Sequence, residues 1–252
     1  MKPTYLTLLA LTLSLSAAGL AAGASSGRVI SWGMNIGGSA DAPRPFVSNW
    51  TGVVSIAGQP LRDIVAVAAG STHALAVRAD GTVEGWGYDY YGQGTGFGTG
   101  SGHATNGFVR IGGRVLSNVI AVAAGDNFSL ALKTDGTVVG WGDNRWGQAA
   151  VPADLKGVTA VAAGKCRGLA LRGSSGLVIL SGQVLTNVVA VAAGNEYGMA
   201  GINSRYSLAL RKDGTVVAWG CSDCAATQVP AELTNVTAIA AGQCFSLAIK
   251  KE

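Results

Sequence analysis

The chain has 252 residues, 38 of them glycine, and only 13% are charged against a usual ~25%. A chain this long can bury a sizeable core, and low charge with 48% hydrophobic content excludes intrinsic disorder; glycines without a G-X-Y period exclude collagen. The net charge of +4 comes from scattered Lys and Arg with no basic run, so nucleic acid is not an expected partner.

The N-terminus holds the one long apolar run. Lys2 precedes TYLTLLALTLSLSAAGLAA, and Ala22-Gly23-Ala24 places small residues at −3 and −1 of a cut after Ala24. That is the layout of a secretory signal peptide over residues 1–24, leaving a single mature domain at 25–252, secreted or periplasmic. An uncleaved membrane anchor is the alternative. No Cys follows the run, so a lipid anchor is not expected, and no other segment reaches the ~18 consecutive apolar residues of a membrane span.

Beyond the leader the chain repeats itself. VAVAAG at 65–70 returns as IAVAAG at 120–125, TAVAAG at 159–164, VAVAAG at 189–194 and TAIAAG at 237–242. Each is followed by a second apolar run: HALAV (73–77), SLALK (129–133), GLALR (168–172), SLALR (207–211) and SLAIK (246–250). Three of these enter a DGTV turn at Asp80, Asp135 and Asp213, then a Trp-Gly pair at Trp86, Trp141 and Trp219. The Gly-bounded, β-rich first run, the alternating second run and the Asp-Gly turn read as short antiparallel strands. Repeated at about 40 residues, such units make propeller blades more readily than a solenoid. A linker pattern, G-x-V-x-x-x-G-x-x-L at 52–61, 107–116 and 176–185, is expected to supply the fourth strand of its blade.

The unit VAAG-xxx-SLAL-xxDGTV-xxWG resembles the regulator-of-chromosome-condensation repeat in a short secreted bacterial style. It is related to the units of the propeller-type β-lactamase inhibitor proteins. The resemblance spans 27–250 and implies an all-β propeller, usually of seven blades; five are recognisable here, one of them degenerate. The third unit lacks its Trp-Gly strand, and the fourth carries the insertion NEYGMAGINSRY. The final SLAIKKE stops where a Trp-Gly strand belongs, and residues 26–33, SGRVISWG, supply that pattern at the other end. Pairing the N-terminal strand with the C-terminal blade is therefore expected to close the ring and hide two sheet edges.

Strand alternation puts the loops after AAG and after Trp-Gly on one face and the Asp-Gly turns on the other. The first face collects the candidate partner-binding residues Tyr88, Tyr90, Tyr91, Arg145, Trp146 and Tyr197, residue types that dominate interface hot spots. The resemblance to the inhibitors, whose aromatic loop residues grip their target, points the same way. Phe128 and Phe245 are expected to pack inside blades, whereas His73 is open to either reading. Trp32, Trp86, Trp141 and Trp219 follow the strand period and are expected to be structural. The Gly-rich stretch 95–107 lacks GK[ST] and reads as a flexible surface loop carrying an isolated His103.

Cys166, Cys221, Cys224 and Cys244 fall on the candidate face, and disulfides are the default for an exported chain. Cys221 or Cys224 with Cys244 is the preferred pairing; a zinc site is the alternative. With His73 and His103 the only histidines near the repeats and the turn aspartates committed to Asp-Gly, no catalytic set is apparent and no cofactor is expected. The expectation is a monomeric, non-catalytic binding module for an extracellular or periplasmic protein, enzyme inhibition being one version. The alternatives are a degenerate repeat fragment in a cell-surface assembly and a carbohydrate-binding propeller.

Overall fold

A computed structural model describes residues 29–35, 47–56, 59–98, 100, 104–165, 167–173, 176–179, 184–194, 204–222, 226–242 and 245–251. Every regular element among them is a β-strand, and every sheet is antiparallel. In chain order, β1 (Ile30–Asn35) pairs with β2 (Val47–Val53), followed by a small hairpin of β3 (Ser55–Ile56) and β4 (Gln59–Pro60). A four-stranded blade follows: β5 (Ile64–Ala69), β6 (His73–Arg78), β7 (Val83–Tyr88) and β8 (Ala104–Phe108). The hairpin of β9 (Arg110–Ile111) and β10 (Arg114–Val115) leads into a second blade of β11 (Val119–Ala124), β12 (Phe128–Lys133) and β13 (Val138–Gly142).

The third blade is β14 (Val158–Ala163), β15 (Gly168–Arg172), β16 (Gly176–Ile179) and β17 (Val184–Leu185). The fourth is β18 (Val188–Ala193), β19 (Ser204–Arg211) and β20 (Val216–Ser222). Last come β21 (Val236–Ala241) and β22 (Ser246–Lys250), which pair only with each other.

The Asp-Gly turns form as the sequence requires. In each, the Asp Oδ1 accepts from the Thr N–H and hydroxyl two residues on, at 2.9 and 2.6 Å for Asp80 and Asp135 and 3.0 and 2.6 Å for Asp213. The glycine sits at φ 74 to 80°, a region glycine enters without strain. These hydrogen bonds hold all three carboxyls below the ordinary carboxylate range. The turn also joins blade to blade: the carbonyls of Gly81, Gly136 and Gly214 accept from Val119, Val158 and Val236 at 3.0 to 3.1 Å.

The core lies between blades. Leu75, Val77 and Val83 of one blade pack with Val119, Val122 and Ala124 of the next, and the pattern repeats with Leu130 and Leu132 against Val158, Val161 and Ala163. Trp86 and Trp141 are buried, as the strand period requires.

Two expectations change. The linker stretch supplies the fourth strand only in part: in the first full blade that strand, Ala104–Phe108, takes just Gly107 and Phe108 from it, and the rest of the stretch folds into β9–β10 across Gly112-Gly113 at φ 58 and 81°, a two-residue turn. In the third unit the stretch forms both the third and the fourth strand, β16 and β17, so the missing Trp-Gly strand is replaced in place. The 95–107 insertion is not simply a loose loop. Thr95 accepts a hydrogen bond from Arg110 N–H at 2.9 Å, and Ala104–Phe108 is strand, while His103 lies outside the described residues. The described strands show no ladder between the chain ends: β1 pairs with β2 and β21 with β22.

Candidate functional site

The two loop sets share one face. Tyr88 N–H donates to Thr72 O and Asp143 N–H to Asn127 O, both at 2.8 Å, which ties each Trp-Gly exit to the loop after AAG in the same blade. Ser71 N–H donates to Gly125 O at 3.3 Å, carrying the connection to the next blade.

Two homologous loops build the candidate site, Trp86–Gln93 and Trp141–Gln148. Each turns through a glycine, Gly92 at φ 81° and Gly147 at φ 76°. Each is held from inside by its glutamine, whose Oε1 accepts from Tyr91 N–H at 3.0 Å and Trp146 N–H at 2.8 Å respectively. Asp89, fully buried, ties the first loop down: it accepts from Gly94 N–H at 2.6 Å, Thr105 Oγ1 at 2.5 Å, and also Thr95 Oγ1. Asn144 does the same work in the second loop, accepting from Ala149 N–H at 3.0 Å.

On this base the aromatic residues converge. The Tyr88 and Tyr90 rings stack with centroids 6.4 Å apart and planes 9° from parallel, and Tyr91 meets Tyr90 edge-on at 4.8 Å. From the next blade the Arg145 guanidinium lies 4.7 Å over the Tyr91 ring. Arg145 is also bidentate to Asp143, with Nε and Nη2 each 2.9 Å from a carboxylate oxygen. That fork holds the Asp143 carboxyl below its usual range despite partial burial, and raises the Arg145 pKa further. Beside them Trp146 is 77% exposed and Tyr90 40%. Four of the residues expected from sequence, Tyr88, Tyr90, Tyr91 and Arg145, are thus brought into one patch spanning two blades, and exposed Trp146 follows Arg145 on the same loop. Tyr197, Cys166, Cys224 and Cys244 lie outside the described residues, and the Cys221 side chain, on β20, is not described.

Phe97, 53% exposed in the 95–107 stretch, is an apolar residue on this loop that the sequence argument passed over. Its signal was hidden by glycines read as flexibility. Gly96 needs φ 84° and a side chain there would collide with the Arg110 carbonyl, so the glycines mark close packing.

His73 is resolved as a core residue. It is 1% exposed, and its Nε2 lies 2.8 Å from Ser129 Oγ of the next blade. Ser129 Oγ donates to Gln93 O at 2.8 Å, so its single proton is used and His73 Nε2 must carry the N–H. Nδ1 has no partner, and burial lowers the pKa to about 3. His73 occupies the position of Phe128 and Tyr206, which are buried as well. Among the described residues no cluster of three His, Cys, Asp or Glu side chains is placed to hold a metal, and no helix is long and apolar enough to cross a membrane.

Comparison with known proteins agrees with this geometry. The family model for the regulator of chromosome condensation (RCC1) repeat matches residues 64–93 and 119–148, each running from the inner strand to the end of a Trp-Gly loop. Human HERC2, an E3 ubiquitin-protein ligase, is 30% identical over 208 residues, which is 79% of this chain but 4% of HERC2. Among solved structures, human WBSCR16 superposes with a TM-score of 0.64 at 19% identity, covering 89% of this chain and 72% of that one. Prp20p from Saccharomyces cerevisiae, studied for its binding to Gsp1p and histones, gives 0.64 at 19%, covering 90% and 65%. The chain spans only a small part of the curated ligase it matches and carries RCC1-type repeats in a β-propeller architecture.

Proposed function

We propose that this chain of RCC1-type repeats is a non-catalytic binding module that engages a protein partner through the Tyr88–Tyr90–Tyr91–Arg145–Trp146 patch. The observation that carries the reading is an exposed Trp and Tyr set around an Arg on loops held by buried Asp89, Gln93 and Gln148. Aromatic and Arg side chains supply most of the energy of interface hot spots, and loops already locked by their own hydrogen bonds lose little entropy on binding. Because Asp143 neutralises Arg145, the patch selects by apolar and stacking contact more than by charge. Protein binding is also the property described for Prp20p, a structural neighbour.

The layout of residues 1–24 supports export, so the partner belongs to the extracellular or periplasmic space. Steric inhibition of an enzyme there is one form of the proposal. The exposed Trp146 and Tyr90 also support a second reading, stacking on carbohydrate. A pull-down from the native extracellular fraction tests both. The wild-type chain should retain a protein that a Tyr90→Ala, Tyr91→Ala, Arg145→Ala, Trp146→Ala variant loses, with circular dichroism showing that the variant folds. Equal recovery would move the site off this patch. Quenching of Trp fluorescence by sugars in the wild type alone would favour carbohydrate.

A further inference from the structure

Two sheets are half-blades, and together they contain the strands of one whole blade. β21 and β22 carry the first and second strand patterns, TAIAAG and SLAIK. β1 carries the third: Val29-Ile30-Ser31-Trp32-Gly33 matches VEGWG at 83–87, VVGWG at 138–142 and VVAWG at 216–220. β2 pairs with it as β8 pairs with β7, Trp32 opposite Thr51 in one and Trp86 opposite Asn106 in the other.

Two apolar residues of β22 are exposed where their internal counterparts are buried. Leu247 is 54% and Ile249 64% exposed, whereas Leu130, Leu132, Leu208 and Leu210 at the same repeat positions are 2% or less. On the inner strand that follows β1–β2, Val67 is 52% exposed against 8% or less for Val122, Val161 and Val191. A cavity of about 350 Å³ lies along β22, lined by Leu208, Ile239, Phe245, Ser246 and Leu247. Within one chain β1 and β22 share no ladder.

We propose that the edge of β22 is a docking site for β1 of a second copy of this chain, completing a four-stranded blade between copies. The register follows from β12 and β13, where Ser129 faces Trp141, Leu130 faces Gly140 and Ala131 faces Val139. It sets Ser246 opposite Trp32, Leu247 opposite Ser31 and Ala248 opposite Ile30. Donor and acceptor edges differ, so the contact is head-to-tail and each added copy presents a fresh β22. This interface is independent of the aromatic patch, and it replaces the monomer expected from sequence.

The test mixes two full-length variants, Ser31→Cys and Leu247→Cys, under mild oxidation. A peptide linking positions 31 and 247, identified by mass spectrometry, can arise there only between copies. The counterpart pair, Leu75 opposite Gly85, falls between hydrogen-bonded pairs, the closer side-chain setting of an antiparallel ladder. In parallel, light scattering should show at least a doubled mass for the wild type, falling to a single chain in Leu247→Lys, Ile249→Lys. Both positions are exposed, so folding is preserved and circular dichroism should not change. A link that forms only when both cysteines are in one chain would overturn the proposal in favour of closure within the molecule. No link, a single-chain mass for the wild type at all concentrations, or a lysine variant that associates as before would overturn it outright.

Discussion

His73 makes the stability of the molecule depend on pH already above the range in which its turn aspartates titrate. In the folded chain its pKa falls from 6.5 to about 3 because the ring is buried, with Nε2 committed to Ser129 and Nδ1 without a partner. Below pH 6.5 the unfolded chain therefore binds a proton that the folded chain refuses, and stability drops as pH falls through the window from 6.5 to 3. Each unit is about 1.4 kcal/mol, so moving from pH 7 to 4.5 removes roughly 2–3 kcal/mol through this group. His73→Phe places at this position the residue found at Phe128, and leaves Ser129 its bond to Gln93 O. Urea titrations followed by Trp fluorescence should show that the wild type loses about 2–3 kcal/mol more than this variant between pH 7 and 4.5. Equal losses would refute the reasoning. The turn carboxyls and Asp143, all held below the ordinary range, contribute stability that is lost only at lower pH and in both proteins alike.

The repeat supplies its own controls for further substitutions. Ser129→Ala removes a hydroxyl that accepts from His73 and donates to Gln93 O, and should destabilise by about 1–3 kcal/mol in urea titration. Ser207→Ala, at the matching position with an equally buried hydroxyl that has no partner, should instead raise stability by about 1–3 kcal/mol, because it removes an unmet buried donor. Gly85→Ala drives a methyl into the backbone carbonyl of Gly94 and should lower stability by roughly 3 kcal/mol or more, read as a fall in thermal midpoint. Trp146→Ala, on a side chain 77% exposed, should leave the midpoint within a degree or two of wild type while weakening partner binding by about tenfold or more in calorimetry.

What could be seen in the sequence followed the strength of local signals. The inner strands, the SLAL strands and the Asp-Gly turns were legible because alternation, an Ala-rich run and a turn residue coincide in each unit. Tyr88, Tyr90, Tyr91, Arg145 and Trp146 were found together because Trp-Gly fixes which face their loops leave from, and that depends on strand parity alone. The fourth strand of the first full blade was not legible. Its Ala104–Phe108 segment is Gly- and Asn-rich, and it becomes a strand by pairing with β7 while Thr105 donates to Asp89. His73 was ambiguous for a similar reason: the group it bonds, Ser129, lies 56 residues away in sequence and meets it only across the blade interface.

The degenerate third unit shows how one missing segment propagates. In the second blade Ser129 Oγ and Trp141 Nε1 both donate to Gln93 O, at 2.8 and 2.9 Å, so the Trp-Gly loop of one blade satisfies two donors of the next. The third unit has lost that loop. In the fourth blade the equivalent donors, Ser207 Oγ and Trp219 Nε1, are accordingly buried without a partner. Two unmet donors of this kind weaken the junction by an amount of order 1–3 kcal/mol each. The blade still forms, because β16 takes the third-strand position and Leu169, Leu171, Val188 and Val191 close the apolar interface. The repeat therefore tolerates loss of its loop at the level of the sheet and registers it at the interface between blades. Returning a Trp-Gly loop to the third unit should raise stability, but only if its last residue presents a carbonyl to Ser207 and Trp219. A graft that raises the midpoint equally in the Ser207→Ala background would show that the gain came from elsewhere.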